Sequence, residues 1–467
     1  MVVLLSRQPI ANAASGDPSH PGHESLFKAY TVSDPRQNSC TADDLSGTFQ
    51  SGIRFAEMTD VGMRRLNNQD SLVCVPARSD DVMSRRGHLF VVADGMGAHA
   101  AGELASQMAT DQITDHYRRL ADQCSVANAI NDAITLANTD IHTRGQNNPD
   151  FHNMGTTASA LVLWPGGAVI GHVGDSRVYR LRDGVLEQWT FDHSLVWELE
   201  AGGGYSPEAA AKIPRNVITR SLGPNENVQV DIEGPTDIRV GDKFLLCSDG
   251  LTGPVTDEEI AALMDCLSEQ TAAQVLVDLA NLRGGPDNIS TIVVGVTAEI
   301  AASKPSKRLP RRSLTAAGVA MSVIAIMAVC AATLLLVLSM IGPAIVAVVV
   351  AGVSGGLAYY LTGEVVGDVP PPLSSNGGGP YRRYKAVANQ SMLQSLRQTV
   401  DQLRDAADKN NWLMDWTKVD ASQNAANEAV RSGNLKRALS HQAESITETM
   451  KQLREQHNQA ASETTAN

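Results

Sequence analysis

Between residues 52 and 300 short apolar runs alternate with polar, glycine-rich turns, the pattern of a mixed α/β globular region. LFVVA (89–93), SALVLW (159–164), AVIGHV (168–173), FLLCS (244–248) and STIVVGV (290–296) have the length and composition of buried strands. Turn residues Pro165-Gly166-Gly167 and Asp183-Gly184 separate several of them, so 158–190 reads as an antiparallel meander. Helical stretches are expected over 101–119 and 125–143. A third starts at Thr256, whose hydroxyl can cap it while Glu259 reaches back. A fourth, over 271–283, stops at Gly284, a C′ glycine. Ser206-Pro207-Glu208 marks a further helix start.

Outside this region the pattern changes. Residues 1–50 are rich in Ser, Asp, Pro, His and Gly without sustained periodicity and read as a flexible leader, leaving 51–300 as the globular domain. A basic linker, 301–313, contains KPSKRLPRR. Residues 314–361 then carry no Asp, Glu, Lys or Arg. One helical span needs about 20 apolar residues, so the stretch predicts a hairpin of two, 314–339 and 343–361, broken at Gly342-Pro343. A single span with the tail on the far side, or a buried helix pair of a soluble domain, are the alternatives. Lys304, Lys307, Arg308, Arg311 and Arg312 before it, and Arg382, Arg383 and Lys385 after it, put both ends in the cytoplasm under the positive-inside rule. That places the chain at the inner, cytoplasmic membrane with its globular domain in the cytoplasm. A Pro/Gly/Ser linker, 362–380, leads to a helical C-terminal region, 381–467. There Leu393, Leu396, Val400 and Leu403, and later Ile446, Met450 and Leu453, recur at helical spacing, interrupted by Ser432-Gly433-Asn434. A helical hairpin or coiled coil that oligomerises fits, as does a solvated amphipathic helix.

Composition narrows the function. The chain has 467 residues, 43% hydrophobic and 4% aromatic, and a formal net charge of −13. That acidity argues against bulk nucleic-acid binding, which needs basic patches. The six cysteines show no CxxC pairing and read as reduced thiols. The start, MVVLLSRQPIANAAS, has too short an apolar run for a signal peptide.

Four aspartates share one context, each ending an apolar run: Asp94 (VVADGMG), Asp175 (GHVGDSR), Asp249 (LLCSDGL) and Asp287 (GGPDNIS). A carboxylate at the end of a buried strand is costly unless paired or bound to metal, so four of them suggest one acidic cluster. With no His or Cys cluster at zinc spacing, the oxygen donors call for Mg²⁺ or Mn²⁺. A pair of such ions lowers the pKa of a shared water and neutralises a phosphoryl group in transfer. No cysteine has an arginine six positions on, and there is no GxxxxGK[ST] loop and no HRD or DFG set, which sets aside cysteine phosphatases, P-loop enzymes and kinases.

Residues 54–296 resemble the metal-dependent protein phosphatases, the type 2C or PPM family, especially the bacterial ones. The family's motifs occur in order: RRLNNQD (64–70), VVADGMGAHAAGE (91–103), NMGTTASALV (153–162), GHVGDSRVYRLRDG (171–184), DHS (192–194), ITRSLG (218–223), LLCSDGLT (245–252) and GGPDNISTIVV (284–294). The resemblance implies an α+β fold, a four-layer αββα sandwich of two antiparallel sheets flanked by helices, followed here by the transmembrane hairpin and helical tail. It implies that Asp94 bridges two metal ions with help from the Gly95 carbonyl, that Asp249 and Asp287 complete the first site, and that Asp70 contacts metal-bound water. Asp175 with Asp249 matches a third ion, and Arg65 matches the arginine that holds the substrate phosphate. Residues 194–217 match the flap beside the site. Gln69 stands where the family usually has Glu, which weakens a second-metal contact. Met96 stands where eukaryotic relatives carry a histidine, as bacterial members often do, and Ala98 replaces a common glycine. His99 and His172 read as structural. The implied function is a membrane-anchored serine/threonine phosphatase acting on phosphoproteins, the substrates of a serine/threonine kinase. The alternative is a catalytically silent scaffold with the same fold, which Gln69 alone favours.

Overall fold

The computed structural model describes residues 52–97, 100–201, 217–300, 316–339, 341–361 and 378–465. The described chain divides into two compact units, one containing residues up to 301 together with 374 onward, the other 302–373.

The first unit is built on two antiparallel sheets. One has the strand order β1 (Ile53–Asp60), β11 (Ile289–Val296), β10 (Lys243–Cys247), β7 (Arg177–Arg182), β8 (Val185–Gln188) and β12 (Arg382–Lys385). The other runs β2 (Asp70–Val75), β3 (His88–Met96), β5 (Ala158–Trp164), β6 (Gly167–Val173) and β9 (Asp231–Thr236), with the two-residue β4 (Gly155–Thr156) against the end of β3. Phe90, Val92, Leu161, Ile170, Val178, Phe244, Leu246 and Val294 interdigitate in one buried cluster between them. Because both faces of β3, β5, β6 and β11 are covered, these strands read as continuous apolar runs rather than alternating ones.

Helices cover both outer faces. α2 (Ala101–Leu120) and α3 (Val126–Asn147) bury Ala105, Ile113, Ile130 and Ile134 in one cluster with Val91 and Val162. α6 (Asp257–Cys266) and α7 (Glu269–Leu282) cover the first sheet. The capping box at Thr256 is present, the Glu259 carboxylate accepting from the Thr256 N–H at 3.1 Å. Gly284 follows α7 at φ +107°. Shorter helices are α1 (Asp80–Arg85), α4 (Leu195–Ala201) and α5 (Asp249–Thr252). The helix start expected at Ser206 lies outside the described residues.

The meander expected over 158–190 is not continuous. β5 and β6 pair as a hairpin in one sheet, but β7 and β8 form a hairpin in the other. The chain changes sheets at Gly174-Asp175-Ser176. Gly174 has φ +115°, and a Cβ there would lie 2.5 Å from Thr157 Cβ, so only glycine makes this crossing. The crossing is what holds Asp175 at the end of the sandwich.

The C-terminal region is a further layer of the same unit. β12 pairs with β8, and α10 (Gln390–Lys409), α11 (Thr417–Arg431) and α12 (Leu435–Thr465) follow. Leu393, Leu396, Val400, Leu439, Ala443 and Ile446 share one buried cluster with Leu263 and Leu276. Arg454 of α12 pairs with Asp278 of α7 at 2.9 Å, and Lys436 with Asp265 at 2.6 Å. Arg382, Arg383 and Lys385, expected as juxtamembrane charge, are strand residues instead, and Arg383 pairs with Glu187 at 3.1 Å.

The second unit contains α8 (Ala316–Val337, 22 residues) and α9 (Ile341–Leu361, 21 residues), which pack together. Gly342-Pro343 lies in the first turn of α9, where proline is tolerated, and not in the break between the helices. Ile326, Met327, Leu334, Val348 and Val353 are exposed. Among the described residues no helix is long and apolar enough to cross a membrane, so the expected spans are not shown. Cys74, Cys124, Cys247, Cys266 and Cys330 are free thiols, and Cys40 lies outside the described residues.

Candidate active site

The expected aspartates converge at one end of the sandwich. Asp70 begins β2 directly opposite Asp94 on β3. Asp175 occupies the crossing between sheets, Asp249 opens α5 just after β10, and Asp287 precedes β11. Burial raises the Asp94 carboxyl well above the usual carboxylate range, and Asp70, Asp249, Asp175 and Asp287 push it further. Burial also lifts Asp70 to about 7; its hydrogen bonds to Ser248 and Ser290 oppose the rise, and Asp249 and Asp287 add to it. Asp175 is held at about 8 by burial, then by Asp249 and Asp192. Asp249 is raised by burial and by Asp287. Asp70, Asp94, Asp175 and Asp249 are therefore each raised by at least one other member, as in one acidic cluster.

No three His, Cys, Asp or Glu side chains among the described residues stand close enough to hold an ion as placed. The mutual electrostatics and the orphaned oxygens, rather than a finished coordination shell, carry the metal reading. Asp70 Oδ1 and Asp175 Oδ1 are buried without a hydrogen-bond partner. A buried carboxylate oxygen with no donor is one that a cation satisfies. The donors are all oxygen, which fits a hard divalent ion.

The supporting groups are ones that sequence reasoning did not single out. Ser248 Oγ donates to Asp70 Oδ2 at 2.7 Å and accepts from Ser290 N at 3.0 Å. Thr157 Oγ1 accepts from Asp94 N, and Thr156 Oγ1 donates to Asp94 O, each at 2.9 Å. Asn288 spans the site: its Oδ1 accepts from Gln69 N at 2.8 Å, and its Nδ2 donates to Val61 O and Asn67 O at 2.9 and 3.0 Å. All four sit inside motifs legible in the sequence, but the aspartates drew the eye because charge is the stronger signal.

Gly95 lies between Gln69 and the start of α2. A Cβ there would meet Gly102 O at 2.1 Å and Gln69 O at 2.5 Å. Gln69 places its side chain against Gly102. Arg65 reaches across to Asp287, Nη2 to Oδ2 at 2.6 Å, with both side chains partly exposed. The expected phosphate-holding arginine thus stands at the edge of the aspartate cluster. Met96 ends β3, and Ala98 and His99 lie outside the described residues.

The DHS motif underlies the Asp175 crossing. His193 N donates to Gly174 O at 2.7 Å, and its Nδ1 accepts from Gly174 N at 2.9 Å, which leaves Nε2 to donate to Asp231 at 2.9 Å. His172 is buried and bonded at both nitrogens, to Ser159 and to Phe191 O; burial and then His193 lower it to about 3. It stays neutral and structural. Arg177 pairs with Asp192 at 2.7 Å and donates to Tyr179 OH at 2.9 Å. Of the expected flap, 194–217, only 194–201 and 217 are described.

Comparison with known proteins finds similar chains. A family model described as protein phosphatase 2C matches residues 64–281. A putative protein phosphatase 2C-type from Streptococcus pyogenes is 36% identical over 247 residues, covering 52% of this chain and 97% of the relative. The serine/threonine protein phosphatase PstP of Mycobacterium tuberculosis is 37% identical over 249 residues, covering 52% of this chain and 45% of PstP. A crystal structure of the PstP catalytic domain in complex with 2 manganese ions is 34% identical, covers 52% of this chain and 98% of that one, and aligns with a TM-score of 0.45.

Proposed function

We propose the substrate and setting of this enzyme from the fact that the chain belongs to the protein phosphatase 2C family, whose members are metal-dependent serine/threonine phosphatases. It is a hydrolase of phosphorylated serine and threonine in proteins. In our reading, Asp94, Asp249 and Asp287 with the Gly95 carbonyl would hold a first ion, and Asp94 would also serve a second. Asp70 and Gln69 stand beside them, and Asp175 with Asp249 offers a third position. When bound, Mn²⁺ or Mg²⁺ supplies a nucleophilic water at neutral pH and offsets phosphoryl charge.

The chain's own residues do the rest. Arg65 presents a planar fork to the phosphate, replacing Asp287 as its partner when substrate arrives. Ser248 and Asn288 fix the carboxylate and the 61–69 loop, so little reorganisation remains at the moment of reaction. The observation that carries this reading is that Asp70 Oδ1 and Asp175 Oδ1 are buried without partners among carboxyls that burial, and then their neighbours, raise together.

The setting we propose is a membrane surface, with kinase-phosphorylated proteins there as substrates. It is supported by the uncharged stretch 314–361, by the exposed apolar side chains of α8 and α9, and by the basic residues 304–312 before them. The test uses the full chain and a phosphothreonine peptide, with Mn²⁺, with Mg²⁺ and with chelator. Turnover is expected to require the metal, and Asp94→Asn is expected to lower kcat/KM by at least about a hundredfold. Metal-independent turnover, or an Asp94→Asn variant as fast as the parent, would remove the aspartate cluster from the reaction.

A further inference from the structure

Strand β12 and the residue before it contact more than the sheet edge. Tyr381, just before it, donates its N–H to Gln188 O at 2.8 Å and its hydroxyl to Glu233 Oε1 at 2.7 Å. Glu233 lies on β9, so these two bonds tie this segment to both sheets. The Tyr381 ring meets Phe191 edge-on at 5.5 Å, and Phe191 meets Trp197 at 5.4 Å. Arg382 lies over the Trp197 ring at 3.9 Å and donates to Glu200 Oε2 at 2.8 Å. Trp197 and Glu200 are both on α4.

α4 has 7 residues, too few to hold a helix without tertiary contacts. Leu195 N donates to Val217 O at 2.9 Å, and Glu198 accepts from Thr219 Oγ1 at 2.6 Å, which ties it to the returning chain. Its one buried anchor is Trp197. Arg177, two residues past Asp175, also lies over that indole, at 5.4 Å. Just before α4, His193 is bonded twice to Gly174, beside Asp175. The C-terminal strand is therefore joined to the aspartate cluster through packed rings and a short helix.

The Streptococcus pyogenes relative is matched over 97% of its length by 247 residues, so it has no room for a counterpart of β12 and α10–α12. The contact does bear on α4, which starts two residues after His193 and so follows directly on the Asp175 crossing. A phosphorylated polypeptide must lie across the surface around the cluster, whereas a small aryl phosphate needs only the cluster.

We propose that Arg382 is a positioning residue of this phosphatase: by holding Trp197 and Glu200 it sets α4, and through α4 the fit of polypeptide substrates. The C-terminal region then acts as an in-chain determinant of substrate choice, supplied from beyond the catalytic core.

The test compares full-length parent, Arg382→Ala, Arg382→Lys, Glu200→Gln and the double variant Arg382→Ala/Glu200→Gln, each with Mn²⁺. Arg382→Ala is expected to raise KM for a phosphothreonine peptide about three- to tenfold, with kcat and p-nitrophenyl phosphate turnover within about twofold of the parent. Arg382→Lys keeps the charge and loses the planar stack, so it restores part of the fit. Glu200→Gln shifts peptide KM in the same direction, and the double variant is less than additive. Unchanged peptide KM in Arg382→Ala, or an equal loss on both substrates, overturns the proposal, because the residue then serves the fold alone. If Arg382→Ala does not yield folded protein, Glu200→Gln removes the same ion pair from α4 and decides the question by the same split.

Discussion

At the scale of single residues, the cluster ties stability, pH and metal together. Asp70 and Asp175 take up protons near 7 and 8 in the native state, against 3.8 as their ordinary value. Between those limits the native cluster holds protons that the unfolded chain has released, so stability falls as pH rises through this window and levels off above it. A cation binds only the ionised carboxylates, so its stabilising effect grows as pH rises. With chelator present, the melting midpoint is therefore expected to be higher near pH 6 than near pH 8, by on the order of a few degrees. Saturating Mn²⁺ should reduce or reverse that difference. Equal midpoints in chelator at both pH values would mean that Asp70 and Asp175 ionise in the native state as they do in the unfolded chain. The aspartates themselves were legible because charge at the end of an apolar run breaks a local rule, and broken rules mark sites. Ser248, Thr156, Thr157 and Asn288 break none, since a polar residue after a strand is ordinary. Only the fold shows that they grip the backbone and side chains of the cluster.

At the scale of elements, local signals succeeded where the chain obeys them and failed where tertiary pairing decides. The Thr256 capping box and the Gly284 stop are self-contained sequence devices, and both are present. The supposed meander failed because hairpin signals at Pro165-Gly166-Gly167 and Asp183-Gly184 specify two hairpins but not whether they share a sheet. RRYK gives no strand signal because it is short and charged with Tyr384 alone packing on the core, which is how an edge strand looks. The apolar spacing in the tail was legible as helix, but what it packs on was not. Ile446 of α12 is fully buried in one cluster with Leu263 of α6 and Leu276 of α7. Ile446→Ala is expected to cost about 2–5 kcal/mol and to lower the midpoint of the whole catalytic unit in a single transition. Calorimetry checks it. An unchanged main transition, with a separate early one, would mean that the tail melts independently of the phosphatase.

At the scale of the whole molecule, β12 constrains how the chain can meet a membrane. The described residues before 302 and after 373 belong to one folded unit, joined by a strand pairing of β12 with β8. A segment that leaves a folded unit and returns to it must cross any bilayer an even number of times. Arg382 and Arg383 do not set the orientation by charge, since they pair with Glu200 and Glu187. The pairing of β12 with β8 also bears on the choice between one span and two, since a single crossing would put the tail where β8 is not. If α8 and α9 enter the bilayer as proposed, tags inserted at Pro305 and at Ser375 should be protease-accessible from the same face of sealed vesicles, and a tag at Met340 only from the other. Tags at Pro305 and Ser375 on opposite faces would break the pairing of β12 with β8 in the membrane-bound enzyme. All three tags on one face, with the protein released by a high-salt wash, would leave the phosphatase and its tail intact but make α8 and α9 a surface-bound pair, with electrostatics rather than insertion holding it there.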